Sequence, residues 1–364
     1  MRGSAVIVGA GIAGTAAARG LLRAGWSVQV LERNGSLPGS GTALAMWPEA
    51  MRALDALGAG GTVRAGSVEQ PGARLLKPDG SEIAALGGGR TARLVPRTVL
   101  LEALADELPP GLIRWNLPVA GLETLPRADV VIAADGISSR LRTGCCAARP
   151  RPLGTVAFRG VVPGPAAEVT ETWGPGRLFG ITPLDGRNTN WFACIRAEDL
   201  ALFRSGQGSG QGAGHGSGPG EGSLEEVRGR AGEILTSLYR GWHPAVVRVI
   251  GILEGNPVDY RELFDIPRLP SYVFGRTALL GDAAHGMAPN LGRGACEALL
   301  DAVALVEALT KASDADAALR AYDAGRRRRG NRMVRAARLL NRASTAKRFT
   351  AARNLAVSTA ARFS

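Results

Sequence analysis

Residues 4–33 read SAVIVGAGIAGTAAARGLLRAGWSVQVLER, and this stretch decides the fold. Ala5-Val6-Ile7-Val8 is a short, wholly apolar strand of the kind buried on both faces of a parallel sheet. Gly9, Gly11 and Gly14 follow in a Gly-x-Gly-x-x-Gly turn. An alanine-rich helix over 15–24 stops at Gly25, and a second strand, Ser27 to Leu31, ends at the acid Glu32. Strand, turn, helix and strand make one βαβ unit. In that context the glycines form a dinucleotide fingerprint. Gly9 permits the turn, Gly11 lets the backbone approach a pyrophosphate at the helix N-terminus, and Gly14 lets the helix pack close to the strand. Glu32 is placed to accept hydrogen bonds from ribose hydroxyls.

Outward from this unit, the spacing predicts helices over 42–58 and 97–108 and a buried strand over 129–134. Between 151 and 274 aromatic residues and proline become frequent, and alternating runs suggest antiparallel strands. Ser205 to Ser223 is almost only Gly, Ser and Gln, a composition that reads as a disordered surface loop. A buried strand returns at 277–280, and 293–311 and 314–363 read as mostly helical.

Composition narrows the function classes. A chain of 364 residues is sized for two domains. Four cysteines and three histidines are too few and too scattered for a disulfide framework or a histidine metal centre, so no metal is expected and a reduced, cytoplasmic setting is. The net charge of +12 is local: residues 326–364 hold 12 Lys+Arg and no acid, which leaves 32 basic and 32 acidic residues elsewhere. A nucleic-acid footprint needs a basic docking face, and no specific nucleic acid is expected. The basic segment reads as a helix packed through Met333, Ala337, Leu340 and Leu355, as an interfacial helix making weak contact with anionic membrane, or as a source of non-specific nucleic-acid affinity.

A second motif names the dinucleotide. Residues 275–302 read GRTALLGDAAHGMAPNLGRGACEALLDA, a buried strand ending at Gly281-Asp282 and a turn with Pro289, Gly292 and Gly294 that opens a long helix. The arrangement puts a carboxylate at a strand end, suited to a sugar or ribityl hydroxyl, and free N–H groups at a helix start, suited to an electron-rich carbonyl. With Asp135-Gly136 in AADGISSR, three motifs occur in order, and the chain resembles the class A FAD-dependent monooxygenases, the para-hydroxybenzoate hydroxylase-like family. The resemblance runs over about residues 4–330. It implies that Asp282 binds the FAD ribityl chain, that the Pro289–Gly294 turn lies against the isoalloxazine, and that Asp135-Gly136 lies near the pyrophosphate and serves the NAD(P)H reaction. It also implies FAD contacts for Arg97 and adenine packing for Arg33. Arg293 stands where the family commonly has glutamine; it either places positive charge near the flavin or pairs with Glu297 one turn on. His285 is expected to pack near the cofactor, with a modulating role as the alternative.

The expected fold class is α/β: a Rossmann-like FAD-binding domain with a mostly parallel sheet (1–66, 93–150, 271–325), a substrate domain with a mixed or antiparallel sheet (67–92, 151–270), and a basic C-terminal helical segment (326–364). The implied function is an FAD-dependent, NAD(P)H-consuming monooxygenase working through a flavin C4a-hydroperoxide. It would hydroxylate or epoxidise an apolar, aromatic or polyene small molecule, as monomer or homodimer. The alternatives are an FAD-dependent reductase or desaturase that inserts no oxygen, or a non-catalytic FAD-binding protein. Because the flavin carries the chemistry, no catalytic side chain is assigned. Phe158, Trp173, Phe179, Trp191, Phe192 and Phe203 are each expected in the core, and as a group they suit an aromatic substrate.

Overall fold

A computed structural model describes residues 3–39, 41–87, 91–204, 225 and 227–361. The expected Gly/Ser loop at 205–223 lies outside these. The chain divides into two units: Met1–Glu69, Ala92–Leu153 and Phe264–Leu340 in the first, and Gln70–Thr91, Gly154–Leu263 and Asn341–Ser364 in the second.

The first unit is built on a six-stranded sheet in the order Val273–Phe274, Thr277–Leu279, Val130–Ala133, Ser4–Val8, Ser27–Leu31, Ile113–Arg114. Only Val273–Phe274 runs antiparallel to its neighbour. Ser4–Val8 sits inside the sheet, paired with Ser27–Leu31 and Val130–Ala133, which is why Ala5 to Val8 are all buried. The fingerprint helix Ile12–Arg23 packs on the long helix Gly294–Lys311. Gly20 permits the close approach, since a Cβ there would sit 2.8 Å from Val306 Cγ2. The core between sheet and helices includes Ile7, Leu21, Val30, Leu54, Leu100, Leu299 and Leu305.

One expected helix begins late. Ala43–Met46 is a strand, antiparallel to Ala92–Pro96, and the helix runs only Pro48–Ala56. Pro48 at the first helical position fixes that start, because its missing N–H disrupts nothing there. The helix expected at 97–108 forms as Arg97–Ala105.

The second unit holds a seven-stranded mixed sheet in the order Val258–Asp265, Arg151–Pro163, Asn188–Arg196, Arg177–Pro183, Val169–Gly174, Ala73–Leu76, Glu82–Leu86. The 170s strand pairs in parallel with Ala73–Leu76 and antiparallel with Arg177–Pro183. One face packs on the helices Ala231–Leu238 and Pro244–Gly251 through Phe158, Phe179, Trp191, Leu235, Tyr239 and Val246. Phe179 stacks with Trp191 at 5.7 Å between centroids. Phe158, Phe179 and Trp191 are therefore core residues, Phe203 packs against the same core, and Trp173 is buried too.

The boundary expected at 326 falls inside one continuous helix, Ala315–Ser344. Arg326 is buried rather than solvated because it is ion-paired to Glu297 and Asp301. Thr350–Ala361 is a separate helix. Ala337 is buried as expected, whereas Leu355 is 70% exposed and does not pack.

Candidate cofactor site

The fingerprint turn is shaped by steric necessity. Gly9 has φ +103°, and a Cβ there would lie 2.4 Å from the Ala134 carbonyl oxygen. At Gly14 a Cβ would lie 1.9 Å from the Gly9 carbonyl oxygen, so only glycine lets the helix leave the strand at this angle. Gly11, the N-cap of the helix, has nothing within 4 Å of a Cβ position, so the backbone is open to a close ligand. Glu32 is buried beneath it. Its Oε2 accepts from the Ala10 N–H at 2.7 Å, and its Oε1 from the backbone and side-chain amides of Asn34 at 2.9 and 2.7 Å. The acid at the strand end thus holds the turn as well as offering its remaining lone pairs. Arg33, next to it, is exposed.

The Gly-Asp motif lies against this turn. Gly281 has φ +58° and ψ −135°, and a Cβ there would meet Ala13 Cβ at 2.9 Å. Two segments nearly 270 residues apart in sequence are brought together within one unit. Asp282 opens the short helix Asp282–His285 with its carboxylate facing solvent. Arg97 packs its stem against Gly41, where a Cβ would clash at 2.8 Å. Pro289 starts a 3-10 turn that Gly292, at φ +59°, closes in the left-handed region. Gly294, with open space at its Cβ position, begins the 18-residue helix.

At the third motif, Asp135 Oδ2 accepts from the Arg140 and Leu141 N–H groups at 2.9 and 3.3 Å, while its buried Oδ1 has no partner. Gly136, at φ +81°, turns the chain. Arg142, which sequence reasoning missed, is wholly buried and donates to the Ile137 and Ala283 carbonyls at 2.7 and 3.1 Å. It ties the Asp-Gly turn to the Gly-Asp helix. Its sequence signal, an arginine seven residues after Asp135, means little without the fold. A cleft of about 610 Å³ adjoins this turn, lined by Ile137, Ser138, Arg140, Arg142, Thr143 and Arg149 among others.

Under the Gly-Asp motif lies a buried ion network. Asp301 accepts from the Gly281 N–H at 2.9 Å, His285 Nε2 at 2.6 Å and Arg326 Nε at 2.7 Å. Burial disfavours a charged His285, but Asp301's charge and hydrogen bond hold its pKa above the ordinary value. Burial likewise opposes charge on Glu297, yet hydrogen bonds from Arg329 and Arg326 bring its carboxyl down to about 2. Arg293 pairs with Glu49 at 2.6 Å and with Glu297 at 3.1 Å, and its guanidinium lies 6.0 Å from the Trp47 ring. His285 is buried in this network, paired with Asp301.

Open fingerprint backbone, a solvent-facing carboxylate at a strand end and a glycine-led helix start define a flavoprotein of the dinucleotide-binding type. The FAD binding domain family matches residues 2–109 and 268–337. A 3-amino-4-hydroxybenzoate 2-monooxygenase of Streptomyces platensis is 31% identical over 87% of this chain and 82% of its own length. An aurachin C monooxygenase/isomerase of Stigmatella aurantiaca is 28% identical over 90% and 86%. An FAD-dependent urate hydroxylase of Mycolicibacterium vanbaalenii is 30% identical over 92% and 86%. In fold, the chain matches Klebsiella pneumoniae HpxO, solved with FAD and uric acid, at a TM-score of 0.80 and 24% identity, over 99% of this chain and 93% of that one. The chain belongs to the class A FAD-dependent monooxygenases. It is an oxidoreductase with FAD as cofactor. No helix among the described residues is long and apolar enough to cross a membrane.

Proposed function

We propose that the protein uses NAD(P)H and O2 to hydroxylate an aromatic small molecule. The cofactor placement is supported by the packing of Gly281 against Ala13, which brings the Gly-x-Gly-x-x-Gly turn close to the Gly-Asp motif. Gly9, Gly11 and Gly14 would take the pyrophosphate at the helix start, Glu32 and Arg33 the adenosine, and Asp282 with Arg97 the ribityl side. The turn from Pro289 through Gly292 to Gly294 would lie along the ring system. Asp135, whose buried Oδ1 still lacks a donor, and Gly136 would lie near the pyrophosphate and the nicotinamide reaction. When bound, FAD supplies the oxygen-activating chemistry. The chain's own task is to hold it, orient it and keep water away.

An aromatic substrate is supported by the relatives, whose names include an aminohydroxybenzoate and urate. A phosphate-bearing reductant is supported by the arginines of the cleft beside Asp135-Gly136. The fingerprint glycines are already committed to FAD, so the nicotinamide binds transiently with no βαβ unit of its own. Substrate should then gate reduction through its differential affinity for flavin positions. Anaerobic stopped-flow reduction by NADH and NADPH tests this. The expected result is a rise of at least about tenfold with the true substrate, a coupling of roughly 1.4 kcal/mol. Reduction by neither nucleotide refutes the NAD(P)H reading. Product without oxygen-18 from labelled O2 refutes monooxygenation in favour of a reductase or desaturase.

A further inference from the structure

The helix Thr350–Ala361 is turned inside out. Ala351, Ala352, Leu355, Ala356, Thr359 and Ala360 are exposed, and at about 3.6 residues per turn they fill one continuous half of the helix surface. None of them is charged. The one polar group among them, Thr359 Oγ1, donates to the Leu355 carbonyl at 2.9 Å and is satisfied within the helix. The opposite half carries Arg353, Asn354, Val357, Ser358 and Ala361, and is half-buried where the helix packs on Glu82–Leu86 of the second unit's sheet. Arg353 lies over the Trp173 ring at 5.3 Å and donates to the Gly174, Ala343 and Ser344 carbonyls. A surface helix ordinarily turns its charged side to water and its apolar side to the core. This one does the reverse.

The residue that opens the helix is a second, independent observation. The Phe349 carbonyl accepts from the Arg353 N–H at 2.9 Å, so Phe349 occupies the cap position. Phenylalanine has no side-chain acceptor to offer there. Its φ is +58°, in the left-handed region that disfavours every residue with a Cβ. Its ring is 84% exposed, and Leu355 is 70% exposed; these are the two most exposed large apolar side chains among the described residues. A poor cap, a strained backbone and an aromatic ring in water coincide at one position, and the fold gains nothing from the ring in return.

Charge and area decide what covers this face. Arg342 and Arg348 are exposed and form no ion pair among the described residues, while Lys347 is engaged by Glu198 and Asp199. The chain has no acid after Asp323. A helix of 12 residues is about 18 Å long and about 10 Å wide, a footprint of roughly 200 Å². Two such footprints bury roughly 400 Å², well short of the roughly 1,200 Å² of a stable protein–protein interface, so a second copy of this chain is not held by this face. A lipid surface needs no matching partner area; it takes exposed aromatic and leucine side chains together with arginine. We propose that this face rests on an anionic lipid bilayer, with Phe349 and Leu355 at the boundary of headgroups and acyl chains and Arg342 and Arg348 against lipid phosphate. The proposal is independent of the flavin reaction, because all these residues lie in the second unit and the cofactor motifs lie in the first.

The test uses full-length, flavin-loaded protein and two sets of extruded vesicles, phosphatidylcholine alone and phosphatidylcholine mixed with phosphatidylglycerol. Partitioning is read by co-sedimentation at low and at raised salt. Wild-type protein should partition at least about tenfold more strongly onto the anionic vesicles, and raised salt should release it. Phe349→Asn and Leu355→Glu should each lower that partitioning at least about tenfold, and Arg348→Glu should lower it on anionic vesicles alone. Asparagine suits both the cap and the left-handed backbone, so Phe349→Asn should melt no lower than wild type, a result that a merely structural role for the ring forbids. No partitioning at low salt, equal partitioning onto both vesicle sets, or partitioning unchanged in both Phe349→Asn and Leu355→Glu overturns the proposal. So does a dimer in analytical ultracentrifugation that Leu355→Glu abolishes, since the face would then be covered by a second copy.

Discussion

Asp301→Asn is the sharpest perturbation of the cofactor scaffold, because it changes one charge and almost no volume. Asp301 is fully buried and accepts three hydrogen bonds, from the Gly281 N–H, His285 Nε2 and Arg326 Nε. Arg326 is itself buried, so neutralising Asp301 strands cationic charge away from water, although Glu297 still holds the other side of the guanidinium at 2.6 Å. Removing one partner of a buried pair costs about 3–5 kcal/mol. The residual Glu297 contact argues for the lower end, about 3 kcal/mol. At about 2–4 °C per kcal/mol for a domain of this size, the melting temperature of flavin-free protein should drop by roughly 10 °C. The pH dependence adds an independent check. His285 has its folded pKa raised by Asp301, so its contribution is complete below the unfolded value of about 6.5 and is lost as pH rises through the folded value. Wild-type stability should therefore decline above about pH 6.5, and Asp301→Asn should flatten that decline. Thermal melts followed by circular dichroism from pH 6 to 9 measure both. A melting temperature within about 2 °C of wild type, with the pH slope unchanged, would refute the network's role.

Gly14→Ala should give protein that retains no flavin, since its Cβ would lie 1.9 Å from the Gly9 carbonyl oxygen; the absorbance of the purified variant checks this. Asp282→Ala should weaken FAD about 10- to 100-fold, from loss of a charged acceptor contributing roughly 1.5–3 kcal/mol, measured by titrating apoprotein. Deleting 341–364 removes Asn341, which pairs with Thr155, and Thr345, whose carbonyl accepts from Arg196. That truncation should melt earlier yet still bind FAD, whose motifs all lie in the first unit; its sedimentation with anionic liposomes, compared with full-length protein at low salt, tests membrane contact through the basic helix.

Local spacing was enough for much of this protein. The glycines at 9, 11 and 14, the acid at 32 and the strands at 5–8 and 130–133 follow from short-range rules of sterics and burial. The Gly281-Asp282 motif was legible for the same reason: strand end, turn and helix start are neighbours in the chain. Tertiary structure decided what depends on partners far away in sequence. Ala43–Met46 has the composition of a helix and becomes a strand because Ala92–Pro96 lies beside it. Arg293 showed its Glu297 partner at one helical turn, but not Glu49, which is 244 residues away. Arg326 looked like the start of a solvated basic segment and is instead an internal ion-pair residue. Hydrogen bonds within a turn are written in adjacent residues, whereas burial and ion pairing are properties of distance in space, which the chain acquires only when its sheets close.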